Sequence, residues 1–294
     1  MKIKKLLFLA ALAVSASATL TSCEDVLGHW ERPTGAVTPA EPEEETVPGL
    51  LTGKFTINAA GKQVQFSQGN LQYKKSTSTW SFMENQYSTV ETPSQNVGTN
   101  YADQDVVSLF GWGTAGHEFS SDIYGTEYQP WSTDNSDGKK YGPKGTSNGL
   151  YDSFAQGDWG TNMGTGWRTL TGGDSGEWKY LLSTRSASTV GGTENARFAK
   201  ATVHGTKGLI IFPDEITWDA TTMGTAPTTC NTANASFTYS PSDDNWTAME
   251  AAGCVFLPAA GFRYGTSVYY AGSYGNYWSS SPNGSNADYA YIVY

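Results

Sequence analysis

Short apolar segments recur along the chain downstream of residue 50. In Lys54–Asn58 and Gln63–Phe66 apolar and polar positions alternate, with Ala60-Gly61 between them, which predicts a hairpin of two half-buried strands. Asn70–Tyr73 and Thr79–Phe82 predict two more strands. Gly208–Pro213 and Cys254–Leu257 are continuous apolar runs, the pattern of strands buried on both faces. Helical periodicity is confined to two places. Asp174 and Glu177 have capping-box spacing, and Trp178, Leu181 and Leu182 then share a face. Ser240 precedes Pro241, a residue favoured at a first helical position; Trp246 and Met249 follow at helical spacing, and Gly253 ends the run. From 84 to 170 the chain is rich in Gly, Asn, Thr and Asp, with Trp112, Trp131, Trp159 and Trp167 to pin irregular loops. The pattern predicts an α+β fold of short antiparallel strands, about two helices and long ordered loops.

The amino terminus follows another logic. Lys2, Lys4 and Lys5 precede a short apolar run, Leu6–Val14, then small residues and Leu20-Thr21-Ser22-Cys23. The run is too short to span a bilayer, so 1–22 reads as a signal peptide. The tetrapeptide resembles a lipobox, which makes Cys23 the expected lipidation site of an exported, surface-exposed lipoprotein of the bacterial outer membrane. Residues 23–50 hold Pro33, Pro39, Pro42 and Pro48 around Glu41, Glu43, Glu44 and Glu45, the composition of an extended linker. Glu24 and Asp25 fit either an acidic surface-export signal or ordinary solvated charge.

Charge narrows the partners. The chain has 18 basic and 28 acidic residues, a net charge of −10, and removal of 1–22 would take three lysines with it. This excludes the basic footprint of nucleic-acid binding, and attachment to a membrane is expected through the lipid alone. Cys230 and Cys254 are open to two readings in an exported protein, a disulfide or two buried free thiols. The three histidines, His29, His117 and His204, are dispersed and give no metal-ligand spacing. No metal, cofactor or catalytic residue is expected. Asp243-Asp244-Asn245 is better read as first-turn helix charge than as a calcium site. Gly111–Gly116 lacks the lysine and helix of a phosphate loop, and Asp134–Gly138 lacks the distal glutamate of a calcium loop.

Eight of the 17 tyrosines fall between Tyr264 and Tyr294, set among Gly, Ser and Asn with no lysine or histidine. Tyrosine supplies rigid amphipathic contact, and Ser, Gly and Asn supply adaptable hydrogen bonds, so the segment reads as a binding surface.

Several strings together resemble one superfamily. Trp167–Leu170, Glu177–Leu182 and Arg185 are similar to a signature of formylglycine-generating-enzyme-like domains. Gly208–Asp214, Phe256–Gly261 with Arg263, and Gly275–Ser280 resemble related lipoprotein domains of gut bacteria. Leu257–Tyr294 is similar to the variable proteins of diversity-generating retroelements. The resemblance implies a C-type-lectin-like fold, with 51–135 as an N-terminal β-rich region and 136–294 as the lectin-like domain, its tyrosine-rich segment spanning 262–294. It implies ligand-binding positions at Tyr264, Tyr269, Tyr270, Tyr274, Asn276, Asn283, Asn286, Asp288, Tyr289 and Tyr291, with Val293 also variable, and a protein or carbohydrate partner on a cell or phage surface. Gly265, Gly272, Gly275, Trp278, Ser279 and Pro282 would be scaffold, with Trp278 anchored in the core. The superfamily's catalytic cysteine pair has no counterpart in a matching context, so the activity does not carry over. Such domains add a strand after the segment matching Ala290–Tyr294, where this chain ends. Two other readings stand beside diversified binding: a fixed structural or adhesin-type component of a surface assembly, and a remote enzyme that would use Cys254.

Overall fold

The structure is a computed structural model that describes residues 47–89, 105–108, 110, 158–264, 267–282 and 290–293. Residues 46–294 form one compact unit. The expected signal peptide at 1–22, the expected lipidation site Cys23, most of the expected linker and the loop strings at 111–116 and 134–138 lie outside the described residues.

At the centre is a three-stranded antiparallel sheet, β6 (Phe198–Val203), β7 (Thr206–Ile211) and β8 (Val255–Pro258), in the order β6-β7-β8. The hairpin β6–β7 turns on His204 and Gly205, both at positive φ (46° and 79°), the conformation that matches strand twist in a two-residue turn. Strand alternation sends the side chains to two cores. Ala199, Ala201, Val203, Ile210 and Phe256 face one core with Trp246, Met249, Cys230 and Cys254. Leu209, Ile211, Val255 and Leu257 face the other with Phe55, Ile57, Trp178 and Leu181. Cross-strand partners share a face: Ile210 with Phe256, Ile211 with Val255. Both faces being covered explains the unbroken apolar runs of β7 and β8.

Helix α1 (Glu177–Ser183) and the hairpin of β1 (Phe55–Thr56) and β2 (Gln63–Val64) cover one face. The β1–β2 turn is closed by Asn58, whose Oδ1 accepts from the N–H groups of Ala60 (3.1 Å) and Lys62 (3.0 Å). Helix α2 (Asp243–Ala251) covers the other face. A further sheet of β3 (Leu71–Lys74), β4 (Thr79–Phe82) and β5 (Val106–Val107) runs in the order β4-β3-β5. The described parts of 51–135 therefore share a core with residues after 158 and do not form a separate unit.

Two helix starts differ from the sequence expectation. Helix α1 is preceded by Gly176, which offers no side-chain cap, and Asp174 is not used. Thr171 takes that role from outside the helix: its Oγ1 accepts from Glu177 N–H (3.0 Å) while Glu177 Oε2 accepts from Thr171 N–H (3.0 Å). Helix α2 begins two residues later than expected. Ser242, not Ser240, is its N-cap, accepting from Asn245 N–H, and Pro241 stands outside the helix.

Two ion pairs hold the fold together. Arg168 makes a bidentate pair with Glu177 (2.6 Å to each oxygen). Arg185 is fully buried; it donates to Leu181 O and Phe212 O and pairs with Asp214 at 2.7 Å. Burial pulls its guanidinium below its ordinary pKa, and the Asp214 carboxylate pulls it back up. Asp214 Oδ2 also accepts from Thr56 N–H and Oγ1, so one ion pair ties α1, β1 and the end of β7 together. The outer edge of β8 is covered by the buried Gln86, which donates to Cys254 O (3.1 Å) and accepts from Phe256 N–H (2.6 Å), as a neighbouring strand would.

Candidate functional site

Beyond β8 the chain leaves the central sheet and builds an arm. Strands β9 (Phe262–Tyr264) and β10 (Ser267–Tyr269) pair antiparallel, with Phe262 opposite Tyr269. A turn then folds back: Tyr274 N–H bonds to Tyr270 O (3.0 Å), and Gly272 N–H to Ala259 O (2.7 Å). Gly261 is the pivot. Its φ is +72°, and a Cβ there would run into the carbonyl oxygen of Tyr269, so only glycine fits. Tyr270 is itself in the left-handed region at φ 58°, a conformation strained for a bulky residue.

This geometry gathers four rings on one exposed patch. Phe262 stacks on Tyr269 (centroids 5.9 Å apart) and touches Tyr270 (5.8 Å), and Tyr270 meets Tyr274 edge to face at 5.2 Å. Tyr269, Tyr270 and Tyr274 keep 45%, 58% and 47% of their surface in water, so these contacts do not belong to a core. Such rings offer stacking area and phenol hydrogen bonds, which is binding chemistry.

The remaining expected site residues divide. Tyr264 lies in β9 opposite Ser267, but its side chain is outside the described part, as are Asn283, Asn286, Asp288 and Tyr289 entirely. Asn276 is half-buried, and its Nδ2 has no hydrogen-bond partner among the described residues. Tyr291 packs against the scaffold, its ring Cε2 being 3.2 Å from where a Cβ of Gly173 would stand. The structure thus brings Tyr269, Tyr270 and Tyr274 together, and it adds Phe262, which the tyrosine count passed over although it shares strand parity with Tyr264 at the start of the run.

The anchor of the arm also differs from expectation. Strand β11 (Tyr277–Pro282) pairs with β12 (Ala290–Val293), Tyr277 opposite Val293 and Trp278 opposite Ile292. Tyr277 and Val293 pack against the core, and the Tyr277 hydroxyl donates to Pro258 O at 2.8 Å. Burial pushes its phenol well above the ordinary tyrosine range, with a hydrogen bond to Asn70 acting the other way. Trp278 is on the outward face of the strand, 37% exposed, with its Nε1 donating to Phe110 O (2.9 Å). Tyr277 holds the segment in the core; Trp278 does not. Ser279 and Ser280 are both buried beside a register shift, and Ser280 N–H bonds to Leu170 O (2.9 Å), docking β11 onto the loop before α1.

Of the two readings of the cysteines, the structure shows free thiols. Cys230 and Cys254 are both buried in the core beside α2 and are not bonded to each other. Desolvation pushes both thiols up, Cys254 far above the ordinary range, so neither supplies a thiolate nucleophile. The enzyme reading that needed an accessible Cys254 loses its nucleophile. Asp243 and Asp244 occupy the first turn of α2, and Asp243 pairs with His204 Nδ1 at 3.1 Å. No cluster of three metal-ligating side chains and no helix long and apolar enough to cross a membrane occur among the described residues.

Comparison of the chain with family models, with curated proteins and with solved structures finds no match. The geometry alone defines the class: an α+β protein with a packed central sheet and an exposed aromatic arm.

Proposed function

We propose that this protein is a lipid-anchored surface protein that captures a protein or glycan through the aromatic arm, on a C-type-lectin-like fold related to the variable proteins of diversity-generating retroelements. The observation that carries the reading is the patch of Phe262, Tyr269, Tyr270 and Tyr274, which contact one another while remaining largely in water. Aromatic side chains clustered at the centre of a patch are the usual source of binding energy at interfaces. The Gly261 pivot and the docked Tyr277 fix the backbone from below, so ring identities change without disturbing the core. That is the division a diversified site requires, with Cys23 as lipid anchor and the acidic linker as spacer.

A genomic test addresses diversification. A template repeat beside the gene, identical to the segment encoding 257–294 except at adenines, with a reverse transcriptase nearby, is the expected finding; absence of both returns the protein to a fixed lectin-like binder. Binding itself is tested by immobilising the wild type and a Tyr269→Ser/Tyr270→Ser/Tyr274→Ser variant on glycan and bacterial-surface arrays. Loss of signal in the variant with an unchanged melting midpoint is expected, and equal signal from both would remove the patch from the mechanism.

One observation favours a second reading, a fixed component of a surface assembly. Trp278 and Ile292 form an exposed apolar pair across β11–β12, a two-stranded sheet. Concentration-dependent association abolished by Trp278→Ser, with the tyrosine variant associating normally, would select it.

A further inference from the structure

We infer that the protein carries a second, separate ligand site, a polar groove beside α2 suited to a saccharide bearing a carboxylate. This inference goes beyond the aromatic arm and does not rest on it. The groove holds about 420 Å³, within the range of about 300–1,000 Å³ that small-molecule sites occupy. It lies between the segment 223–229, the segment 236–241, β6 and the first turn of α2.

Its lining is rich in hydroxyl side chains. Thr225, Thr228, Thr229, Ser236 and Thr238 present hydroxyls that make no hydrogen bond to the protein among the described residues. Among the described residues of the lining Lys200 is the one that is charged, and none is a carboxylate. In a chain of net charge −10, Lys200 has no ion-pair partner among the described residues, and its Nζ rests 5.1 Å from the ring centre of Phe237. Lys207 approaches the same ring at 5.6 Å. Uncommitted hydroxyls match the donors and acceptors of a sugar ring, and an unpaired ammonium matches a carboxylate.

The groove is also held in shape before any ligand arrives. Met223 and Cys230 are buried in the core and Ala226 packs against it, so Thr225, Thr228 and Thr229 stand out between fixed points. The carbonyl of Pro227 is packed against Gly191, where a Cβ would collide with it. On the opposite wall, Thr202 N–H bonds to Tyr239 O (2.9 Å) and Ser240 Oγ to Thr202 O (3.1 Å), fastening 236–241 to β6. Asn245 closes the end, its side chain donating to Thr222 O (2.8 Å). A pre-shaped site saves the ordering cost that a loop site would incur on binding.

The test is titration of the purified full chain with a glucuronic-acid-containing disaccharide, with maltose as the neutral comparator, read by calorimetry and by amide chemical shifts. The acidic disaccharide is expected to perturb amides of 223–245. Lys200→Gln is expected to weaken it about tenfold, the scale of one charge-assisted hydrogen bond, and Lys200→Arg to retain it. Maltose is expected to bind wild type as weakly as the acidic sugar binds Lys200→Gln. Thr228→Val, exposed and outside the core, should weaken both sugars with the melting midpoint unchanged. The triple tyrosine variant should bind like wild type. No perturbation of 223–245 at millimolar sugar, equal affinity in Lys200→Gln, or perturbation confined to 262–274 would each overturn the inference.

Discussion

The central sheet and the C-terminal arm both depend on aromatic residues, and they use them in opposite ways. Around β6–β8 the rings of Phe55, Phe212, Trp246 and Phe256 are buried and their positions follow strand or helix period. In the arm, Phe262, Tyr269, Tyr270 and Tyr274 lie exposed, carried by a backbone with glycine at its pivot and a tyrosine in the left-handed region. The scaffold removes its rings from water, whereas the arm leaves them there, and the exposure that makes it poor as a core makes it suitable as a contact surface. The two regions meet where the arm is nailed down, at Tyr277 on Pro258 and Ser280 on Leu170.

The sharpest way to break this contrast is through the ion pair under the scaffold. Asp214→Ala strands the buried Arg185 guanidinium and removes the acceptor for Thr56. Breaking a buried pair on one side costs about 3–5 kcal/mol, so urea unfolding should show a large fall in midpoint. Because α1, β1 and β7 all meet at this pair, the loss should be global, and hydrogen exchange should accelerate in scaffold and arm alike. A fall of less than about 1 kcal/mol would mean that water readily takes the place of Asp214.

Gly261→Ala should separate the regions. The added methyl meets the Tyr269 carbonyl at a φ that alanine resists, a cost of about 1–3 kcal/mol. The strain falls on the arm, so hydrogen exchange should rise in β9 and β10 while β6–β8 keep their protection. Uniform loss of protection would show that the arm is part of the same cooperative unit.

Acid provides a milder probe of the scaffold. Desolvation raises the Glu177 carboxyl, but the hydrogen bond from Arg168, the Thr171 N–H and the Arg168 charge outweigh it and leave the pKa below its ordinary value. A lowered folded-state pKa gives stability that is present above the unfolded value, about 4.3, and is lost as pH falls through the folded one. Glu177→Gln should therefore flatten the acid limb of the stability curve below about pH 4.5 and leave its slope near neutrality unchanged. An identical acid limb in the variant would assign that limb to other carboxyls.

These differences track what was legible in the sequence. The hairpin β1–β2, the strands β3, β4, β7 and β8 and both helices follow from periodicity, because each buries a face whose pattern the chain must repeat. Strand β6 is not legible from periodicity because its inward positions include Ala199 and Ala201, small residues with weak strand preference, although His204-Gly205 marks its turn. The cap on α1 departs from the capping-box spacing because Thr171 reaches it from outside the helix, across a loop whose path the sequence does not show. In the arm, composition pointed to a surface and three of its tyrosines do cluster there. Which aromatic anchors the arm was not legible: adjacent residues of a strand face opposite ways, and parity is fixed only by the partner, here Val293 opposite Tyr277.

The smallest expected effect is the most discriminating for the arm. Tyr270→Gly removes a ring that is 58% exposed and relieves a residue at φ 58°. Leaving the left-handed region to glycine recovers about 1 kcal/mol. Against this stand the lost contacts with Phe262 and Tyr274 and the greater freedom of glycine in the unfolded chain, which costs about 0.4–1 kcal/mol. The opposing terms leave a net change within about 0.5 kcal/mol, the ordinary range for a surface substitution. Urea melts of Tyr270→Gly and wild type should therefore overlay, while Gly261→Ala, nine residues away in the same turn system, does not. A loss above about 2 kcal/mol in Tyr270→Gly would make that ring structural and would move it from the contact surface to the scaffold side of the comparison.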